Sequence, residues 1–380
     1  MKSKSLFLPE RRLKMKFSIL QQDLLPSLQA AARSTGTRST LPVLDNVLLS
    51  VEGKKLKIAA TNLEIGVIKF VPVQNGVDGE MTVPAKTLVE LIAGLSQLEV
   101  TFESEGEGLA ITGGSFKASV NGIPAAEFPV IPLSSGKGIS FPKDAFLTSS
   151  QILFAAAVDE GRPVLTGILT EVKDSKLDFV ATDGFRLAHR QVPLPKASAP
   201  LKTLIPKRTY EEVLRIISEQ EVPEVTIATS ENQNQAVFTL GGTIVSSRLI
   251  EGQFPAWEKI VPTEIVGRAL VEKEALLKAI KLAAVFARGE ANILVLTTRK
   301  GILNIKSSAK EVGSQENEIE GNIEGEQLQI AFNTKFLQDA VTNIPTSQLS
   351  FEFSGALSAA LIKPIGEEGL EYIVMPVRLS

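Results

Sequence analysis

No cysteine occurs in the 380 residues of this chain. Disulfides, thiol nucleophiles and cysteine-based metal sites are therefore excluded, and a cysteine-free chain fits a reducing cytoplasm. His189 is the single histidine, which rules out multi-histidine metal sites and relays needing a second imidazole. No apolar run reaches the roughly 18 residues of a membrane span. No Walker-type loop is present, and Gly113-Gly114 and Gly241-Gly242 fit hairpin turns instead. Base-reading elements are missing as well: no recognition-helix pattern, no zinc finger, no aromatic-rich strand pair. The net charge of −3 predicts no general attraction to nucleic acid, so any such binding must come from uneven charge distribution.

What is present is ordinary core material and a repeat. Hydrophobic residues make up 44% and charged residues 22%, enough for a normal core in each of two or three domains. In Lys176–Val192, Leu177 and Phe179 alternate with polar neighbours, the two-residue period of a half-buried strand. Asp183-Gly184 marks a tight turn, and a second strand resumes at Phe185. Lys55–Phe70 reads the same way, with Asn62 placed 121 residues before Asp183. A worn third copy is Ile302–Ile319. Such a spacing predicts threefold internal duplication.

Helix signals repeat on the same period. Leu88, Leu91, Ile92 and Leu95 share one face of a helix after Pro84. Tyr210, Val213, Leu214 and Ile217 do so after Pro206, and Leu337, Ala340, Val341 and Ile344 after Asn333. The leading positions of these faces are 122 and 127 residues apart. A second helix of each third starts near Leu24, Ala145 and Ala275. Alternating strands follow at Glu99–Phe102, Glu224–Ala228 and Gln348–Phe353. Leu133–Gly138 and, more weakly, Pro262–Arg268 read as linkers.

The six helix segments are Leu24–Arg38, Pro84–Leu95, Lys143–Ala157, Pro206–Ser218, Glu272–Arg288 and Asn333–Ile344. They carry 12 Lys and Arg against 7 Asp and Glu, so they total +5 and the rest of the chain −8. Basic helices on an acidic protein are a footprint for a polyanion if they share a face. Short helices also carry solvated cations by default, and charge alone leaves both readings open. If DNA binds, it should bind through phosphates, weakly and with salt dependence.

No catalytic constellation is convincing. His189 reads as a structural strand residue. Asp183-Gly184 could open a phosphate or metal site, but no second carboxylate cluster accompanies it, and a turn is the simpler reading. Glu316, Glu318, Glu320, Glu324 and Glu326 read as a solvated strand and loop. Residues 1–14 are basic with a short apolar patch, Leu6-Phe7-Leu8, below the length of a signal-peptide core. They read as a disordered extension or an alternative start. The chain closes on the apolar segment Glu371–Leu379, either a partner surface or a final core strand.

Six segments together resemble the bacterial sliding clamp, the beta subunit of DNA polymerase III. They are Thr40–Asn46, Ala60–Ile65, Ile123–Pro129, Ala181–Ala188, Gly252–Pro262 and Glu371–Leu379, in the family's order and spacing. The resemblance spans Met15 to Leu379. It implies an α+β fold of three similar DNA-clamp domains, each with two helices and two antiparallel four-stranded sheets, closing as a dimer into a ring. The implied boundaries are a 1–14 extension and domains at 15–136, 137–263 and 264–380.

The implied function is a non-enzymatic homodimer, without cofactor or metal, that encircles duplex DNA and tethers the replicative polymerase, the clamp loader and repair proteins through short peptides. The peptide pocket carried over by position comprises Leu165, Thr182, Gly184, Phe185, Arg186 and Leu187, then Pro255, Lys259 and Ile260. From the end of the chain it takes Asn333, Ile373, Val374, Met375, Pro376, Val377, Arg378 and Leu379. DNA-facing positions are Arg38, Lys86, Lys207 and Arg208. Ring-interface positions are Ala118 and Val120 against Val285 and Phe286. The sequence departs from the family at Phe185, where histidine is common, at Lys259, where arginine is frequent, at Ala256-Trp257 in place of Asp-Tyr, and at the added Ser380. A repeat scaffold that binds proteins alone, and a hydrolase using Asp183, are the alternative readings.

Overall fold

The computed structural model describes residues 14–36, 41–96, 98–133, 138–195, 198–230, 234–288 and 292–378. Arg38, Leu379 and Ser380, nearly all of the 1–14 extension and most of the first linker lie outside the described residues. The chain forms two compact units, Met1–Ser140 with Arg215–Arg248, and Phe141–Leu214 with Leu249–Ser380.

Six α-helices are described: α1 (Gln21–Ala32), α2 (Ala85–Ala93), α3 (Lys143–Leu147), α4 (Lys207–Glu219), α5 (Lys273–Ala287) and α6 (Thr334–Thr342). The 3.6-residue spacing decides which faces are buried. Leu88 and Ile92 of α2 are fully buried, as are Leu337, Ala340 and Val341 of α6. In α4 the buried set is Tyr210, Val213, Ile216 and Ile217, with Leu214 only half-buried. The expected helix over 143–157 is shorter than the sequence suggested. It stops at Leu147 and continues as two 3₁₀ turns, Thr148–Gln151 and Leu153–Ala155. Thr148 and Ser150 donate their hydroxyls to the carbonyls of Ala145 and Leu147 three residues back. Such local bonds compete with continued α-helix.

All strands pair antiparallel, in sheets of five, eight and twelve. The five-stranded sheet is a set of four with the short strand Gln74–Val77 added at one edge. The larger sheets divide by their pairing into sets of four that join edge to edge. In the first unit, Ile65–Pro72 pairs with Thr243–Arg248. In the second, Arg186–Pro193 pairs with Leu370–Val374. The bent strand Gly313–Gly325 pairs with Ile302–Ala309 over its first part and with Gly267–Glu272 over its last. Gly267 falls within the stretch read as the second linker, so that stretch ends in a strand.

Each unit has its own cores. In the first, Phe17 lies opposite Phe102 in register, with the rings stacked at 4.7 Å between centroids. Around them Leu24, Leu28, Leu88, Ile92 and Val100 are buried. In the second, Phe146, Phe179 and Tyr210 pack ring against ring, and the Tyr210 hydroxyl bonds Thr170.

Phe102→Ala removes one ring of the stacked pair in the first unit. Its expected cost is about 3–5 kcal/mol, read as a lower midpoint in guanidinium unfolding followed by far-ultraviolet circular dichroism. An unchanged midpoint would show that the pair contributes nothing to that core.

Candidate peptide-binding site

The second unit builds a site on the turn between strands Lys176–Thr182 and Arg186–Pro193. Asp183 makes the turn: its Oδ1 accepts the backbone N–H groups of Phe185 at 2.9 Å and Arg186 at 3.0 Å. Thr182 closes it, its hydroxyl donating to the Arg186 carbonyl at 2.7 Å. Gly184 has φ +91°, a conformation that costs a residue with a Cβ. A Cβ there would also meet the Arg162 guanidinium at 3.1 Å.

Arg186 locks the floor. It is 8% exposed. Its Nε donates to Asp183 Oδ2 at 3.0 Å, one terminal nitrogen to Asp339 Oδ2 at 2.6 Å, and the other to the Phe154 carbonyl at 2.8 Å. The planar guanidinium also lies 5.3 Å from the Phe154 ring centroid and 4.8 Å from that of Phe336. Lysine could not supply this set from one point charge. Phe336 in turn stacks on Phe185 at 6.0 Å, and Phe185 is 58% exposed. Asp339 is thus the second acid that the sequence left unplaced. Both carboxylates are held by Arg186 as its counter-ions, and among the described residues no group of acids and histidine is placed to bind a metal.

The end of the chain supplies the opposite wall. Leu370–Val374 pairs with Arg190–Arg186, so Val374 lies opposite Arg186 and Ile373 opposite Leu187. Met375 N–H then donates to the Phe185 carbonyl at 2.9 Å, and Val377 N–H to the Ala331 carbonyl at 2.8 Å. Ile373 and Val374 are fully buried, while Met375 is 39% exposed. Tyr372 to Val374 thus belong to a core strand, while Met375 and Arg378 are exposed and Pro376 and Val377 half-buried. Leu187 and Ile373 share an apolar cluster with Leu169, Val180, Phe254 and Leu361, against which Val164, Trp257 and Val261 pack.

The remaining expected residues are peripheral to this contact. Leu165 is buried. Pro255 is exposed, as are Lys259 and Ile260 around the 3₁₀ turn Trp257–Lys259. Asn333 caps α6, its side chain accepting from Lys335 and Phe336 N–H. Arg378 is exposed. Phe154, Arg162, Phe336 and Asp339 escaped the sequence reading. Phe336 and Asp339 lie three residues apart on α6, a spacing that shares a helix face, but neither belongs to its apolar face of Leu337, Ala340 and Val341.

The first unit carries the same turn without the same site. Asn62 Oδ1 accepts from Glu64 and Ile65 N–H as Asp183 does in its turn. Ile65 stands in place of Arg186, and Gly66 in place of Leu187. The Ile131 side chain lies over Gly66, where a Cβ would meet it at 2.8 Å.

Of the proposed DNA-facing residues, Lys86 is exposed on the first turn of α2, and Lys207 and Arg208 open α4. Lys207 lies 3.8 Å from Glu211. Ala118 and Val120 lie on Phe116–Asn121, an edge strand of the five-stranded sheet. The Val120 side chain is buried in its own core, so the edge there offers backbone. Val285 is exposed on α5 and Phe286 is half-buried.

His189 lies one strand-turn away from the site. It is nearly buried between two carboxylates, Nε2 at 2.7 Å from Asp178 and Nδ1 at 2.9 Å from Glu371, with its ring 4.3 Å from that of Trp257. Burial works against charge on the ring, but hydrogen bonds to Asp178 and Glu371, with their negative charge, outweigh it and raise the pKa above 6.5.

Family models match three successive parts of the chain. Residues 15–132 match the N-terminal domain of the DNA polymerase III beta subunit, 145–256 its central domain and 258–378 its C-terminal domain. The beta sliding clamp of Synechococcus elongatus is 31% identical over 376 residues, covering 96% of this chain and all of that one. The Pseudomonas aeruginosa clamp is 31% identical over 374 residues with the same coverage. A crystal structure of the P. aeruginosa clamp bound to griselimycin superposes with TM-score 0.91 at 29% identity, over 96% of this chain and all of that one.

A raised His189 pKa means that the folded state holds the proton more tightly than the unfolded chain. The stabilisation is therefore complete below about pH 6.5 and fades as pH rises through the folded-state value. The single imidazole should titrate above 6.5 by proton NMR, and His189→Gln should cost more stability at pH 6 than at pH 9. A midpoint at or below 6.5 would contradict the pairing with Asp178 and Glu371.

Proposed function

The chain belongs to the DNA polymerase III beta subunit family, so it is a DNA sliding clamp and not an enzyme, and we propose that the surfaces described above do the clamp's work. Two copies close head to tail around duplex DNA and hold the replicative polymerase and other replication and repair proteins to it. Retention is topological: a closed ring cannot leave a duplex sideways, so weak phosphate contacts suffice and permit sliding. The three domains are residues 15–136, 137–263 and 264–380, and the clamp works in the cytoplasm.

The observation that carries the DNA reading is where the cations sit. Three helices, α2, α4 and α6, carry a cation at their first or second residue with no acid in the first turn: Lys86, Lys207 with Arg208, and Lys335. In α3 and α5, Lys143 and Lys273 are each followed by an acid, Asp144 and Glu274. A helix N-terminus already carries positive dipole charge, so cations there cost stability. The combination suits an anion such as phosphate. Lys86, Lys207, Arg208 and Arg38 are the proposed contacts, each contributing little alone.

The peptide pocket is the surface around Phe185, Ile260, Met375 and Pro376 above the Leu187–Ile373 cluster. Exposed apolar groups around a rigid polar frame suit a short segment with Leu and Phe anchors. The buried polar frame of Thr182, Asp183 and Arg186 holds the wall in place. Ring closure is proposed at the edge strand Phe116–Asn121 of one copy, bearing Ala118 and Val120. It meets Val285, Phe286 and the outer edge of residues 313–320 in the other, which removes two open sheet edges at once. A scaffold binding only proteins is not favoured, because the family relationship covers all three domains.

Two measurements test this. The clamp loaded on nicked circular DNA should stay bound through gel filtration and be lost when the circle is linearised; equal retention on both would rule out encirclement. Met375→Ala with Pro376→Ala should weaken binding of a labelled Leu/Phe peptide about tenfold or more, as removal of a central anchor does, with the dimer mass unchanged. Unaltered affinity would remove the pocket assignment.

A further inference from the structure

His189 and Trp257 are the single histidine and the single tryptophan of the chain, and within the second unit they meet ring to ring. Their centroids lie 4.3 Å apart. Trp257 opens the 3₁₀ turn Trp257–Lys259, and the Ile260 N–H donates to the Trp257 carbonyl at 2.9 Å. Lys259 and Ile260, both assigned to the peptide pocket, are therefore placed by the indole. Packing alone holds that indole. It rests on the apolar cluster of Leu187 and Ile373, and its buried Nε1 has no hydrogen-bond partner among the described residues.

The imidazole is held by charge. Its Nε2 lies 2.7 Å from Asp178 Oδ1 and its Nδ1 2.9 Å from Glu371 Oε1. An ionised carboxylate accepts hydrogen bonds and cannot donate them. Only an imidazolium has a proton for each acid. A neutral ring donates to one and turns a lone pair on the other. Neighbouring polar groups are already engaged. Gln191 donates to Asp178 Oδ1 at 2.9 Å, Glu171 opposite Asp178 bonds Lys202, and Arg190 pairs with Glu367. Glu258 and Lys259, next to Trp257, are exposed. Burial opposes charge on the ring, yet the bonds to Asp178 and Glu371 outweigh it and raise the pKa.

We propose that His189 is a positioning residue of the peptide pocket: bonded at both nitrogens, its imidazolium braces Trp257 and the turn carrying Lys259 and Ile260, and loss of its proton releases that turn and weakens peptide binding. The proposal rests on the pocket reading given above. The neutral ring has one bond too few and must shift away from one acid. The indole then loses the flat partner against which it packs. A peptide must restore the turn before it binds, which lowers its apparent affinity by the fraction of molecules still holding it.

The test is a titration of the full chain between about pH 6 and 9.5, the range over which a histidine of raised pKa changes charge. A Leu/Phe peptide with capped ends, no titrating side chain and a rhodamine label reports binding by fluorescence polarisation. Proton NMR of the single imidazole and fluorescence of the single tryptophan report the two rings. Affinity should be level on the acid side and fall about threefold or more on the alkaline side, as expected if a third of the molecules keep the turn. Its midpoint should coincide with that of the imidazole, and the Trp257 emission should change with the same midpoint.

Two variants separate bracing by charge from simple packing. His189→Gln should bind at the weaker, alkaline level at every pH. In Asp178→Asn the amide can donate to Nε2 while Nδ1–H donates to Glu371, so a neutral ring is satisfied at both ends. That variant should keep the tighter, acid-side affinity throughout, with a lower imidazole midpoint. A wild-type affinity that stays level while the imidazole titrates overturns the proposal. A slope that survives in either variant overturns it too, and in both cases the pocket stands. If the peptide binds at no pH, the pocket reading falls with the proposal.

Discussion

One antiparallel pairing holds the candidate site together: Arg186–Arg190 against Leu370–Val374, nearly two hundred residues apart in the chain. It places the tight turn at Asp183 beside the last strand of the protein. Without it, Phe185 and Met375 would belong to separate surfaces. With it, the backbone bond from Met375 N–H to the Phe185 carbonyl continues the ladder one step past the strand and holds the two residues side by side. Strand pairing therefore sets where the backbone of the candidate site lies, and the Arg186 side chain fastens neighbouring elements to it.

Arg186 is the second constraint, and it belongs to the side-chain level. A guanidinium left buried beside the rings of Phe154 and Phe336 without partners would be costly. Two carboxylates and a carbonyl answer its donors. Because Asp339 comes from α6 and Phe154 from the 3₁₀ turn Leu153–Ala155, one residue draws two separate elements onto the turn. The first unit illustrates the alternative. There the same Asx-type turn is present, Ile65 replaces the arginine and Ile131 covers Gly66. One duplicated turn thus carries a buried arginine network in one unit and an apolar contact in the other.

The nearby His189 belongs to the same strand pair, since it lies opposite Glu371. Its two carboxylate partners and its contact with Trp257 connect the pairing to the turn that bears Lys259 and Ile260. An imidazole placed so cross-links two strands, and the sequence reading of His189 as a strand residue matches its place in Arg186–Pro193. Similarly Asp183 commits Oδ1 to the turn and Oδ2 to Arg186.

Much of the fold was legible because repetition is a property of the sequence itself. The 121-residue recurrence of the turn, the even spacing of Leu88, Tyr210 and Leu337, and the alternating strands at Glu99, Glu224 and Gln348 each reflect local backbone preference and burial. What local pattern could not reach was anything decided by pairing between distant segments. Phe154, Arg162, Phe336 and Asp339 have no distinguishing neighbours in the chain, and only the tertiary structure gathers them around Arg186. The early end of α3 at Leu147 lies between these cases: apolar spacing predicted a longer helix, and Thr148 and Ser150 turned it to 3₁₀. The sequence by itself determined the repeated units and their amphipathic faces, since periodicity acts over a few residues. Which turn gains an arginine network and which an apolar cover fell to tertiary structure, because it depends on side chains that arrive from far along the chain.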